Sequence, residues 1–178
     1  MKTARTKAIL LTGLLVAGAL LGSAQASLGA TERALRGGAT SVEELVNRFL
    51  DALGKKDGKA LRALRVDRDE YVELILRGNV PVGAPLRDWP KEMNEYWWGV
   101  LHTKSVYSEA NILAGFGGHH YRLKHFDFTK GSRQYATYTA YKQVQVTVED
   151  EAGTEKDIRT GSIAEVNGRY KFISFIRD

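Results

Sequence analysis

Apolar residues at Val42, Leu45, Val46, Phe49, Leu50 and Leu53 recur every three or four positions and predict an amphipathic helix with one broad apolar stripe. Ser41 and Glu44 are spaced as a capping box at its start, and Gly54 stands where a left-handed cap would end it. A turn at 55–58 leads to a short helix anchored by Leu61 and Leu64. Asp67 can cap a third helix, with Glu70 three residues on, Tyr71, Leu74 and Ile75 on its buried side and Gly78 as its stop. All three prolines fall between Pro81 and Pro90, which predicts an extended loop. Pro90 suits the first turn of a further helix that presents Met93, Trp97, Val100 and Leu101 on one face and ends near Tyr107. Residues 108–116 read as a short helical tail broken by Gly115, Gly117 and Gly118.

After Gly118 the helical period disappears, and β-branched and aromatic residues dominate. Four strands are predicted, at 120–129, 134–149, 156–166 and 169–177, the second long enough to require a bend or bulge. Residues 150–153 and Asn167-Gly168 are the turns between the last three, and Asn-Gly between strand residues is a strong hairpin signal. The last strand is apolar on both faces, with Tyr170, Phe172 and Ile176 on one and Ile173 and Phe175 on the other. A sheet with one solvated face alternates apolar with polar, so the second face must be covered by this chain or by a partner.

Helices followed by a curved antiparallel sheet make an α+β arrangement. Residues 41–53 (SVEELVNRFLDAL) with 56–61 (KDGKAL), and residues 161–175 (GSIAEVNGRYKFISF), carry a resemblance to the NTF2-like superfamily, which includes the ketosteroid-isomerase and polyketide-cyclase type proteins. The first stretch is similar to that family's opening helix, turn and second helix, and the other to its closing hairpin. The resemblance implies an NTF2-like cone over residues 40–178, with N-terminal helices packed on a curved antiparallel sheet and a ligand pocket at the wide end. It also implies a homodimer through the outer sheet face. It covers both ends of the domain, leaves residues 80–116 without a counterpart, and places no catalytic residue on this sequence.

The N-terminus changes the picture by address. Lys2, Arg5 and Lys7 precede an uncharged apolar run at 8–21, and Ala24-Gln25-Ala26 supplies a small-x-small cleavage pattern. Residues 1–26 therefore read as a secretory signal of bacterial type, and 27–39 as a flexible lead-in. The apolar run is shorter than the ~20 residues that span a bilayer, so no stable membrane anchor is expected after cleavage. The expected product is exported and soluble, in the periplasm or the medium. The sequence has no cysteine, which excludes a lipoprotein anchor, disulfides and thiolate chemistry. Of the 26 basic residues three lie in the leader, leaving 23 against 21 acidic residues. That balance, with interspersed signs, gives no footprint for nucleic acid.

Candidate chemistry is sparse. His119, His120 and His125 form the one histidine cluster. His119 and His120 are adjacent and would point to opposite faces of a strand, so no metal is expected. His125 and Asp127 share a face, as a general acid/base pair inside the cone or as an ordinary strand-end hydrogen bond. Trp89, Tyr96, Trp97 and Trp98 cluster beside the proline loop, where they can floor a pocket for an apolar ligand. Trp97, one turn from Met93 and Leu101, reads as core in preference to a pocket floor, whereas Trp98 reads equally as either. The candidate pocket residues are Trp97, Trp98, Tyr71 and Tyr138. Which face of the long strand lines the pocket, the odd one with Tyr135 and Tyr141 or the even one with Ala136, Tyr138 and Ala140, stays open. Gly115-Phe116-Gly117-Gly118 follows a helix and is a turn rather than a phosphate cradle, so no cofactor is implied. No G-x-S-x-G occurs.

The pattern points to binding of a small, largely apolar ligand in the cone. Two other readings are a His125–Asp127 enzyme of isomerase, cyclase or dehydratase type, and a non-catalytic dimeric assembly protein.

Overall fold

A computed structural model describes residues 34–176. The proposed signal at 1–26 lies outside the described residues, as does the lead-in up to residue 33. The first helix, α1 (Val42–Gly54), buries Leu45, Val46, Phe49, Leu50 and Leu53, as the stripe predicts. Ser41 Oγ accepts the Glu44 N–H at 3.0 Å. The Glu44 carboxylate, however, accepts from the Thr40 N–H and hydroxyl, both at 2.6 Å, so the reciprocal half of the box sits one residue early. Gly54 is still helical; the left-handed residue is Lys56, at φ 51°. Asp57 N donates to Ala52 O and Lys56 N to Leu53 O, the paired bonds of a Schellman cap. Gly54 instead keeps the chain at His119–His120 close, since a Cβ there would lie 3.4 Å from His119 O and His120 Nδ1.

Helix α2 (Gly58–Ala63) follows. Then comes α3 (Arg68–Glu70), which widens into a π-helical segment (Tyr71–Leu76). Asp67 and Glu70 form the predicted capping box in full. The Glu70 carboxylate also receives Lys171 Nζ at 3.1 and 2.9 Å and the Arg36 N–H at 2.6 Å, in a buried network. Helix α4 (Lys91–Phe116) runs unbroken for 26 residues from Pro90, its N-cap, so the predicted break near Tyr107 is absent.

Seven strands replace the four predicted: β1 (Tyr121–Phe128), β2 (Ser132–Gln134), β3 (Thr139–Tyr141), β4 (Val144–Asp150), β5 (Glu155–Arg159), β6 (Ile163–Val166) and β7 (Arg169–Phe172). They make two antiparallel sheets, β1-β4-β5 and β2-β3-β6-β7. One added strand, β2, comes from a turn at 135–138, where Tyr135 N donates to Tyr138 O at 2.8 Å, and the other two from a shared bend. The predicted strands 134–149 and 156–166 each change sheet part-way, at Lys142–Gln143 and at 160–162. Gln143 is left-handed, at φ 57°. Hydrogen bonds carry across the break, from Lys142 N to Gly131 O at 2.8 Å and from Thr160 N to Val144 O at 2.9 Å. Asn167 and Gly168, at φ 50° and 72°, close the β6–β7 hairpin as predicted.

The doubly apolar last strand is covered by the chain itself. Phe172 and Phe175 pack with Phe49 in the main core, while Ile173 packs against a second cluster of Leu35, Val66, Leu74, Ile75 and Tyr138. The strand ends at Phe172, which puts Phe175 on the same side as Phe172 rather than opposite it. A partner is therefore not needed to explain the pattern. Residues 34–39 are no loose lead-in, because Leu35 is buried and Ala39 bridges Tyr170. Among the described residues, no helix is long and apolar enough to cross a membrane.

Candidate functional site

Three of the four predicted pocket residues come together. Tyr71 lies on the π-helical segment, and its ring is 5.8 Å from that of Trp98 on α4. Tyr71 also packs against the second core cluster, where Tyr138 is buried and stacks on Tyr135 at 4.8 Å. Burial pushes the Tyr138 hydroxyl far above the usual phenol range, with Tyr135 and Tyr71 adding to it. Burial raises Tyr71 as well, so both phenols stay protonated and act as neutral hydrogen-bonding groups. The even face of the long strand is thus the buried one at Tyr138 and Ala140. Trp97 departs from this set. It is 38 % exposed and rests against the exposed Tyr96, so it is not core. Trp97 lies on the outer side of a turn whose Trp98 packs on Tyr71 and whose Glu95 pairs with Arg68, and Met93, Val100 and Leu101 are only half-buried.

His125 and Asp127 do pair, Nε2 to Oδ2 at 2.6 Å, but on the wrong face for the interior. Their side chains are 58 % and 66 % exposed. A bulge between Leu123 and His125 shifts the alternation, so Leu123, Phe126 and Phe128 take the inward positions. An exposed pair in water has no enclosed substrate to act on. The acid/base role inside a cone is thereby removed.

A cavity of about 220 Å³ lies beside the C-terminal half of α4. Ile112, Phe116, Phe175 and Tyr107 give it apolar walls, and Ser108, Asn111 and Arg159 supply polar groups. Arg159 Nε donates to Gln145 Oε1 at 3.1 Å, which steadies that side chain. None of Tyr71, Trp97, Trp98 and Tyr138 lines it. Its walls come from an α4 segment and a strand end far apart in sequence, so only the folded chain reveals the cavity.

The inner face of α4 is polar, which is unusual for a packed helix. Ser105, Glu109 and Ile112 are its buried residues. Glu109 Oε1 accepts from Arg62 Nη1 at 2.6 Å, and Arg65 Nη2 donates to His102 Nδ1 at 3.3 Å. The His102 ring in turn lies 5.2 Å from Trp98, so the aromatic set runs into this polar cluster. Arg65 is 5 % exposed, Ser105 0 % and Glu109 3 %. Yet Arg65 Nε and Nη1, Ser105 Oγ and Glu109 Oε2 are buried without a hydrogen-bond partner. Each such atom costs about 1–3 kcal/mol. Burial lowers the Arg65 pKa from the usual arginine value, with Glu109 opposing that shift and Arg62 adding to it. A periodicity-based reading passes over Arg65 and Glu109, because charged residues at those positions look like solvated surface.

Comparison with family models, with curated proteins and with solved structures found no match.

Proposed function

We propose that this chain is an exported, single-domain protein of NTF2-like architecture that binds a small, largely apolar ligand. The observation that carries the reading is the cavity beside α4. Its lining is mixed: Ile112, Phe116 and Phe175 offer the apolar contact that an apolar ligand needs, and Ser108, Asn111 and Arg159 the polar groups that orient it. A volume of about 220 Å³ suits a compact ligand rather than a drug-sized one. The helices-then-bent-sheet order supports the architecture, and the leader at residues 1–26 supports export. Binding, rather than catalysis, is favoured because the one His–carboxylate pair foreseen for acid/base work faces solvent.

The test is native mass spectrometry of the protein purified from its own host. A small molecule is expected to be retained, and Asn111→Phe, which fills the cavity from an exposed position, should abolish it. Trp98→Ala should leave it in place. If Trp98→Ala releases the molecule and Asn111→Phe does not, the ligand sits beside Tyr71 and Trp98 and the cavity assignment fails. A wild-type protein with nothing bound would count against the binding reading as a whole.

A further inference from the structure

The polar cluster under α4 is unexplained by the cavity, which it does not line. Its charge does not balance. Arg62 is half-exposed and already pairs with Glu109, so the buried Arg65, on which Glu109 is the one carboxylate acting, has no carboxylate of its own. A guanidinium stays protonated even when buried, so the excess charge cannot be shed by titration. Its hydrogen bonding does not balance either. Arg65 has two donor nitrogens without an acceptor, while Glu109 Oε2 is an acceptor without a donor. Ser105 Oγ can take either role.

We propose that Arg65, Ser105 and Glu109 form a binding site for a small oxyanion that carries its own proton donor. Such an anion neutralises the excess charge and accepts from the Arg65 N–H groups. It donates its O–H to Glu109 Oε2. An acceptor-only anion meets Arg65 equally well but sets an oxygen lone pair against the Glu109 carboxylate. The chemistry fits two sources, a phosphate group that retains a proton and a hydroxy-carboxylate. Its position on the α4 face beside Trp98 makes it independent of the apolar cavity.

The experiment measures the thermal midpoint of the purified protein at pH 6.5 and constant ionic strength, titrating inorganic phosphate against sulfate and glycolate against acetate. The expected result is a saturable rise with phosphate, glycolate or both, with binding at least about tenfold tighter than for the matched acceptor-only anion, the scale of one unpaired buried hydrogen bond. A response to phosphate alone identifies a phosphoryl ligand, and a response to glycolate alone a hydroxy-carboxylate. Arg65→Met should abolish the response. Glu109→Gln, which offers an amide N–H in place of the carboxylate, should let sulfate or acetate bind as well as their partners and so erase the discrimination. That variant remains informative if Arg65→Met does not fold. The proposal is overturned if no anion raises the midpoint beyond chloride, if members of a pair act alike in the wild type, or if Glu109→Gln leaves the discrimination intact.

Discussion

Removing Lys171 should expose how much of this fold hangs on one ion pair. Lys171 Nζ donates to both oxygens of Glu70, and the two side chains are 6 % and 4 % exposed. Lys171→Met keeps the aliphatic stem in place and deletes the charge. Glu70 is then an uncompensated carboxylate, still held by the N–H groups of Arg36 and Asp67. Breaking a buried pair from one side costs about 3–5 kcal/mol, and the two surviving N–H bonds place this case near the lower end. A loss of ~3 kcal/mol is a large share of the ~5–15 kcal/mol that stabilises a typical domain. It corresponds to a fall of roughly 6–12 °C in Tm at this chain length. Urea unfolding followed by tryptophan fluorescence and by far-ultraviolet circular dichroism measures it. Glu70→Gln should cost a similar amount, and the Lys171→Met/Glu70→Gln double variant clearly less than the sum, with a coupling of at least ~2 kcal/mol. A loss under ~1 kcal/mol for Lys171→Met, or strict additivity, would refute the reasoning.

Other substitutions have equally definite outcomes. Gly161→Ala drives a Cβ into the backbone carbonyl of Ser174 and should destabilise by about 1–3 kcal/mol in the same assay. Gly99→Ala meets nothing within 4 Å on an exposed turn of α4 and should stabilise by about 0.5–1 kcal/mol. His125→Ala removes a solvent-exposed pair, so stability should change by less than ~0.5 kcal/mol and the retained small molecule should survive in native mass spectra. The Asp67 pKa is lowered in the folded state; burial opposes this, but the Glu70 N–H and Arg36 outweigh it. A depressed carboxylate stabilises the fold above its unfolded pKa of about 3.9 and loses that contribution as pH falls through the folded value. Asp67→Asn keeps a cap but should flatten the acid limb of the stability curve below about pH 4.

Helix α1 and the β6–β7 hairpin were legible because their determinants are local. An apolar stripe at helical spacing and an Asn-Gly pair need no distant partner to act. The switch of strands between sheets was not legible, since Val144, Val146 and Val148 continue the strand pattern on one side of the bend as Tyr141 does on the other. Only a left-handed Gln143 and the adjoining break at 160–162 separate them. Helix α4 was cut near Tyr107 for a related reason. No glycine or proline stands between Val100 and Ala114, but the apolar period fails near Tyr107 because Ser105 and Glu109 hold the inward positions. Trp97 shows the opposite case: its spacing to Met93 and Leu101 is that of a core stripe, yet the side of this turn that packs against the fold carries Trp98, on Tyr71. Helix and strand periodicity mark Tyr71 and Tyr138, and the aromatic cluster marks Trp98, but their convergence depends on packing between the π-helical segment, α4 and the residue before β3.

Locally consistent sequences fold reliably, and rules are broken where function requires it. The most concentrated breach among the described residues lies in two turns of α4. Successive helical residues are set about 100° apart, so Ser108 and Asn111 face one flank and Ser105 and Glu109 the other. The first flank opens on the cavity with Arg159 at its edge, and the second packs on the half-exposed Arg62 and the buried Arg65. Ile112 belongs to the cavity wall and to the main core at once. A helix needed only to close the core would carry leucine at 105 and 109, which would remove two unsatisfied atoms, Ser105 Oγ and Glu109 Oε2, and gain apolar contact. That these positions are Ser and Glu, against a buried arginine, is difficult to account for by stability alone. It is the ground for placing the proposed functional demand on residues 105–116, which hold the buried positions of α4.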